Sequence, residues 1–520
     1  MAKILIKNGM IVDGSGKEAF PGDVLIDGEK IAEIGTGITG DFETIDAAGK
    51  LVTPGFIDAH THSDAYLVIE PDAPSKISQG ITTEINGQCG GSAVPRFGEA
   101  RLSSDWASVL GEKLTWRSMA EYRRVLEEAR PAVNTVQFVG HNTLRSSVVG
   151  YAGRSATEDE MQVMERLLAE MLDEGGYGLT TGLIYQPGKY STPEEVTRLA
   201  KVTAAKGGFY ATHMRSEGDR ILEAIDEVLE LVEHTGIRAE ISHLKTSGKR
   251  NWHKIDAVLE KMDNAVRAGK LLGSDRYPYC AAGTDLDVVF PDWAGEGAAK
   301  AECERLADKQ IRARIVKEID ELDRDWSTVM IGGTWDEATR RFSGKRVSEI
   351  MEGEGISAGE AVCRILELDK CRTGAFFFGM SEENLDKILM QDWIVPGSDA
   401  SLRAPWGVLG KDHPHPRAYA TMPEFVRRCK RLGMKLEKIV ARMTSVPAER
   451  FEIKGRGRLQ AGYFADVAIW DEEKFRAKST YLDPHQFTEG MELVMVNGTI
   501  TYSNGDFTGK RNGRLLERQS

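Results

Sequence analysis

Two patterns of hydrophobic and polar residues alternate along the chain. Near both ends, apolar and polar positions alternate over short stretches, and Asp-Gly or Asn-Gly pairs separate these stretches. Such a pattern predicts β-hairpins. Neither end holds enough strands for a stable sheet of its own. We therefore expect the two terminal segments, 1–55 and 455–520, to pair into one small β-sandwich.

The middle of the chain alternates short apolar runs with helical stretches. Thr157 and Thr192 each precede a glutamate by three residues, which is typical of a capping box at a helix start. Eight strands alternating with helices predict an α/β fold, a (β/α)8 TIM-like barrel over residues 56–454. The predicted strands are 56–60, 81–86, 134–140, 178–183, 209–213, 238–243, 271–277 and 394–399.

The connection between predicted strands 7 and 8 is much longer than an ordinary crossover between a strand and the next strand. We expect it to contain an insertion at roughly 285–350, followed by a helix that leads into the last strand. The predicted architecture is thus a barrel, a sandwich formed by both termini, and an insertion between strands 7 and 8.

Composition narrows the class of protein. Hydrophobic residues are 41% and charged residues 28% of the chain, which fits a globular protein. The formal net charge of -13 argues against a nucleic-acid partner. No apolar stretch has the length of a secretory signal or a membrane span, and the six cysteines are scattered. We expect a cytoplasmic protein with no membrane partner.

Polar residues collect at the ends of the predicted strands. In a barrel of this class, the carboxyl ends of the strands ring one open mouth, where catalytic groups lie. Five of the ten histidines occupy such positions. The residues at these ends are His60, His62, Cys89, His141, Asn142, Tyr185, His213, His243, Asp275, Tyr277 and Asp399.

Some of these side chains are suited to a metal ion. His60 and His62 are two positions apart and leave a strand on the same side, so both can reach one ion. Cys89, His213 and His243 can supply zinc with one thiolate and two imidazoles, leaving one position open for water. Alternatively, Cys89 is a small buried apolar residue, and the His-x-His pair lies on the surface.

Asp399 follows the last predicted strand in the sequence VPGSDAS. An aspartate at such a position can simply cap a helix or stabilise a turn. A carboxylate beside a metal-bound water also has a chemical use, since it can take a proton from the water and return it to a leaving amine. Asp399 is therefore our candidate for the general acid/base.

Several sequence motifs resemble the amidohydrolase superfamily, and within it the D-aminoacylase (N-acyl-D-amino-acid deacylase) family. The segment 54–64, PGFIDAHTHSD, is similar to the superfamily's strand-1 signature. GLTTGLIY offers no lysine on strand 4, where many relatives use a carboxylated lysine to bridge two metals. The segments similar to the narrower family are CGG at 89–91, GHNTLR at 140–145, GLIYQPG at 182–188, THMRSE at 212–217, SHLKTSG at 242–248, DRYPY at 275–279, GSDA at 397–400 and HPR at 415–417.

The resemblance implies particular roles for these residues. Cys89, His213 and His243 match the ligands of a tight zinc site. His60, His62 and Asp399 match a second, weaker site, with Asp399 also the general acid/base. The residues that match positions for holding the substrate carboxylate or polarising the scissile carbonyl are Tyr185, Lys245, Tyr277 and Arg417.

The implied activity is zinc-dependent hydrolysis of an N-acyl-D-amino acid, a small-molecule substrate, by a metal-bound hydroxide. The products are a carboxylate and a free D-amino acid. A dipeptidase or a cyclic-amide hydrolase could use the same residues, and a binding protein on an inactive barrel is a third alternative. The segment after DRYPY, CAAGTDLDVVF, lacks the arginine expected of a D-glutamate specialist, so side-chain specificity stays open.

Overall fold

The centre of the protein is a closed barrel of eight parallel strands. The computed structural model describes residues 3–100 and 109–518. Neighbouring strands pair in parallel, and a hydrogen bond from Ala59 N to Pro396 O (3.2 Å) joins the last strand to the first. The predicted (β/α)8 barrel is confirmed. Its strands are Phe56–Asp58, Ile81–Asn86, Asn134–Gln137 continued by Val139–Gly140, Gly178–Gly182, Phe209–His213, Arg238–Ile241, Leu272–Arg276 and Ile394–Pro396.

Helices surround the barrel and share one large apolar core with the outer face of its strands. Thr157 and Glu160 form the predicted capping box. At the second position, Thr192 accepts a bond from Glu195 N, but the Glu195 carboxylate binds His141 instead. These helices are Tyr66–Ile69, Pro74–Ile77, Met119–Ala129, His141–Val148, Glu158–Asp173, Pro193–Ala205, Ile221–Thr235, Ile255–Arg267, Glu382–Leu389, Arg417–Arg431, Leu436–Met443 and Ser445–Arg450, with 3-10 turns at Gly111–Lys113, Gly188–Tyr190, Lys249–Lys254 and Leu409–Lys411.

The two ends of the chain meet in one nine-stranded sheet. Strand Leu51–Pro54 pairs antiparallel with Val467–Trp470, which joins the N-terminal strands to the C-terminal ones. Residues from both ends fill its apolar core, so neither end has a complete core alone. The strands are Ile4–Ile11, Phe20–Asp27, Lys30–Gly35, Glu43–Asp46, Leu51–Pro54, Val467–Trp470, Met491–Val496, Thr499–Ser503 and Asp506–Phe507.

The long connection after the seventh barrel strand carries its own core and a three-stranded antiparallel sheet. This core continues past residue 350 to Ala375, so the compact part of the insertion is longer than predicted. Its strands are Ala282–Asp285, Val329–Ile331 and Gly374–Phe377, its helices Asp292–Gly295, Ala298–Ala307, Lys309–Asp320, Val347–Glu354 and Ala358–Leu368, and its 3-10 turns Leu286–Val289, Trp326–Thr328 and Arg340–Phe342. Among the described ranges, no helix combines the length and apolar character needed to cross a membrane.

A fully buried lysine ties the first barrel strand to the loop after the last one. Lys76 Nζ lies 2.9 Å from Asp58 Oδ2 and 3.2 Å from Glu84 Oε1, and all three side chains are inaccessible to solvent. The same ammonium donates to Ser398 Oγ (2.9 Å) and Ala400 O (3.0 Å), on either side of position 399. This ion network therefore fixes the loop that presents Asp399.

We predict that Lys76→Met destabilises the barrel by about 3–5 kcal/mol, because it leaves two buried carboxylates without their cation. Chemical denaturation measures the change. Lys206→Met is a matched control, since Lys206 pairs with Asp173 on the surface, where the side chains are 38% and 60% exposed. A surface pair contributes less than about 1 kcal/mol. Equal denaturation midpoints for the two variants would contradict the role given to Lys76.

Candidate metal centre

Donor atoms from five barrel strands converge at the carboxyl ends of those strands. Two groups have ligand atoms that all lie within 4.8 Å of one another. A parallel barrel brings these strand ends to one mouth, which explains why residues far apart in sequence meet. The first group is Cys89, His213 and His243, and the second is His60, His62, Cys89 and Asp399.

The first group contains one sulfur and two ring nitrogens. Cys89 Sγ lies 3.2 Å from His243 Nε2 and 3.7 Å from His213 Nδ1. Both histidines are buried, with 1% and 4% of their surface exposed. A cysteine and two histidines leave the fourth position of a tetrahedral zinc site open. The donor set therefore fits zinc with room for a water.

The second group shares Cys89 with the first. Asp399 Oδ1 lies 2.9 Å from His62 Nε2 and 3.4 Å from His60 Nε2. Cys89 Sγ lies 3.4 Å from His60 Nε2. The sequence predicted the two histidines and the aspartate for this group but placed the cysteine only in the first. The thiolate stands between the two groups.

Carboxylates behind the imidazoles fix which nitrogen faces the centre. His60 Nδ1 binds Asp275 Oδ2 at 3.0 Å, and His243 Nδ1 lies 2.9 Å from Glu217 Oε1. In each ring the Nε2 atom is then left for the centre, an arrangement that is common around protein metal sites. Sequence reasoning gave Asp275 no role and missed Glu217, although Glu217 lies in the THMRSE segment, four residues after His213.

Charges close to the centre favour two anionic donors. Burial disfavours ionisation of the Cys89 thiol, but His243 and His60 outweigh it and hold its pKa well below the usual range. Burial likewise raises the pKa of Asp399, and the charges of Arg417 and His243 overcome it, so that this pKa is also well below its usual range. Thiolate and carboxylate are therefore both available to a cation.

Three candidate ligands have a left-handed backbone, which non-glycine residues adopt at a cost of about 1–3 kcal/mol each. The φ angles are 52° at Cys89, 37° at His243 and 51° at Asp399. Hydrogen bonds hold two of them in place, from Asp399 N to His60 O (2.8 Å) and from His243 N to Asp275 Oδ1 (3.0 Å). The backbone is therefore strained at three of the residues that carry candidate metal-ligand atoms.

The residue after the cysteine must be glycine. Gly90 has a φ of 76°, and an added Cβ would lie 2.2 Å from Asn142 Oδ1 and 2.6 Å from Gly182 N. Any side chain there would push the cysteine loop away from the neighbouring strands. The glycine that follows Cys89 in the sequence therefore has a packing reason.

The four predicted substrate residues also lie at this mouth. Tyr185 packs edge-on against His213, with ring centroids 4.9 Å apart. Lys245 is 3% exposed and pairs with Glu217. Arg417 Nη1 binds Asp399 Oδ2 at 2.7 Å, and its guanidinium lies 4.6 Å from the ring centre of Tyr277.

His141 lies at a strand end without joining either donor group in the described ranges. Its Nε2 atom binds Glu195 Oε1 at 2.9 Å, and Arg145 binds the same carboxylate at 3.0 Å. The ring is completely buried in this ion network. Its location supports a structural role behind the mouth.

Comparisons with known proteins relate the whole chain to one family. The model of the "Amidohydrolase family" matches residues 43–502. N-acyl-D-glutamate deacylase from Alcaligenes xylosoxydans xylosoxydans is 33% identical, over 99% of this chain and 97% of its own.

Two solved structures, each 31% identical with a TM-score of 0.84, are also similar. One is D-aminoacylase with a binuclear metal centre, covering 100% of both chains. The other is N-acyl-D-glutamate deacylase from Bordetella bronchiseptica with zinc and a phosphonate inhibitor, a mimic of the tetrahedral intermediate, covering 99% of this chain and 100% of that one. With its barrel, its donor groups and these full-length relatives, the chain belongs to the amidohydrolase family, among the D-aminoacylases and N-acyl-D-amino-acid deacylases.

Proposed function

We propose that this protein is a zinc-dependent hydrolase that cleaves the amide bond of N-acyl-D-amino acids, giving a carboxylate and a free D-amino acid. The observation that carries the proposal is the position of Asp399, whose carboxylate lies between His62 and Arg417 at the edge of the cysteine-histidine donor group. The preference for the D form follows the names of the relatives.

Cys89, His213 and His243 would hold the tighter zinc ion. His60, His62 and Asp399 would hold a weaker second ion, with Cys89 shared. A bound zinc ion supplies a Lewis acid, which polarises the scissile carbonyl and lowers the pKa of water. The D-aminoacylase structure is described with one-metal activation and second-metal attenuation, which supports one ion as sufficient.

Asp399 would move the proton. Its depressed pKa keeps the carboxylate ionised at neutral pH, so it can accept a proton from the attacking water. The same carboxyl group can then protonate the leaving nitrogen. Arg417 holds Asp399 Oδ2, which leaves Oδ1 turned toward the histidines and the reacting groups. One carboxylate oxygen of Asp399 therefore positions the side chain, and the other transfers the proton.

Lys245 and Arg417 would hold the substrate's α-carboxylate, and Tyr185 and Tyr277 would contact the groups around the scissile bond. Arg417 Nε and the Tyr277 hydroxyl are buried without a hydrogen-bond partner in the described ranges. Unpaired buried donors cost free energy, which a bound carboxylate or carbonyl oxygen would recover. The site therefore contains donors that protein contacts leave free for an anionic substrate.

We predict that the zinc-loaded protein releases amine from N-acetyl-D-amino acids at least about a hundredfold faster than from the L forms, because the two enantiomers cannot place carboxylate, amide and side chain alike. An amine-release assay over a panel of D and L substrates measures this. Dipeptides and hydantoins belong in the same panel. Faster turnover of either class would identify a dipeptidase or a cyclic-amide hydrolase instead.

We predict that Cys89→Ala lowers bound zinc to a small fraction of one ion per chain, because the first donor group keeps only two protein ligands. Elemental analysis after dialysis measures the zinc content. Cys429→Ala, which removes a buried thiol from the apolar core, is the control and should keep its zinc. Unchanged zinc in the Cys89 variant would remove this residue from the ligand set.

We predict that Asp399→Asn lowers kcat by a factor on the order of a hundred or more while the zinc of the first donor group is retained. An amide has the same shape but cannot accept the proton. Parallel measurement of turnover and zinc content separates proton transfer from metal loss. The control variant is Asp392→Asn, which changes an exposed aspartate that pairs with Lys438. Near-normal turnover in the Asp399 variant would assign the proton transfer to another group.

A further inference from the structure

One strand of the insertion forms a wall beside the proposed substrate site. In strand Ala282–Asp285, Gly283 O accepts a hydrogen bond from Arg417 Nη2 (3.2 Å). The neighbouring Thr284 side chain hydrogen-bonds with Tyr185. Two residues proposed to hold the substrate therefore touch successive residues of this strand, and the strand continues directly to Asp285.

Asp285 extends from this wall on the side of Arg417. A Cβ added at Gly283 would lie 3.3 Å from Arg417 Nη2, and residues two apart in a strand face the same side. Two residues along a strand correspond to roughly 7 Å. The side chain of Asp285 is open to solvent although protein atoms surround it, and its carboxylate has no ion pair or hydrogen bond within the described ranges. A side chain with the four-carbon stem of lysine spans a comparable length.

Two more carboxyl groups lie next to Asp285. Glu302 is 4% exposed and hydrogen-bonds with Asp287, and its Oε2 atom has no partner in the described ranges. The surrounding protein, followed by the charge of Asp287, raises the pKa of Asp285 to about 7. Burial, followed by the charge of Glu302, raises the pKa of Asp287 to about 8. Arg305 contributes charge near Glu302, but its Nη1 donates to Ala294 O (2.8 Å).

We propose that Asp285, with Asp287 and Glu302 behind it, is the side-chain pocket of the substrate and selects N-acyl-D-amino acids with a cationic side chain, of the lysine, ornithine or arginine type. This inference rests on the proposed function, because Lys245 and Arg417 place the α-carboxylate beside the same strand. The inference adds the class of side chain that the substrate carries, which neither the metal-donor groups nor the family determines.

The preference follows from charge. Carboxyl groups that crowd together among protein atoms gain from an ammonium or guanidinium ion, since charge-assisted hydrogen bonds are roughly twice as strong as neutral ones. The ionised form of the same carboxyl groups would repel an anionic side chain, so this wall also discriminates against D-glutamate and D-aspartate. The hydrolysis itself needs no further group, because the wall acts only on substrate binding.

Three N-acetyl substrates test the inference on the zinc-loaded full-length protein. We expect kcat/KM for N-acetyl-D-lysine to exceed that for N-acetyl-D-methionine by about ten- to a hundredfold, the range for one charged contact, and N-acetyl-D-glutamate to be the poorest. If D-methionine is hydrolysed and D-lysine is no faster, the inference fails and the proposed function stands. If no N-acyl-D-amino acid is hydrolysed, both fail.

Variants of Asp285 test whether this residue causes the preference for a cationic side chain. Asp285→Asn should remove most of the advantage of N-acetyl-D-lysine and change kcat/KM for N-acetyl-D-methionine less than about threefold, since only the charged contact is lost. Asp285→Arg should favour N-acetyl-D-glutamate. Asp323→Asn, the same substitution at an exposed position elsewhere in the insertion, should leave all three substrates unchanged. An unchanged lysine advantage in Asp285→Asn would overturn the assignment.

Discussion

The hydrogen bond from Asp399 N to His60 O joins the last barrel strand to the first and, in doing so, brings the acid/base candidate to the donor groups. Parallel strands that close on themselves must present all their carboxyl ends on one side. The first strand then supplies two imidazoles and the last supplies a carboxylate, although more than half of the chain separates them. Without closure of the barrel, the candidate metal ligands would lie on loops that do not meet.

Charge is balanced locally around this junction. The chain is acidic overall, with a formal net charge of -13. Near the centre, however, two buried cationic side chains have defined acidic neighbours: Lys76 pairs with Asp58, and Arg417 with Asp399. Pairing lets charged groups stay buried, since an isolated buried charge is costly. A compact array of opposite charges therefore surrounds the donors.

Much of this arrangement was predictable from the sequence, because strand ends can be recognised locally. Short apolar runs located all eight strands, polar residues such as His, Cys, Asp or Tyr follow them, and the barrel then implied that these ends meet. The sharing of Cys89 between the two groups depends on the loop's backbone and was not predicted. Glu217 also escaped prediction, because a glutamate in a loop is ordinary and only its contact with His243 distinguishes it. The insertion extends past its predicted end because helices Val347–Glu354 and Ala358–Leu368 pack into its own core.

The pairing of Leu51–Pro54 with Val467–Trp470 has a consequence for synthesis on the ribosome. The N-terminal strands leave the ribosome first, but their partners follow roughly 400 residues later, a delay of about 20–80 s at ordinary rates of translation. During that time an unpaired apolar strand edge is exposed to other chains. In a growing chain, the sheet can therefore be completed only after its last strands have been made.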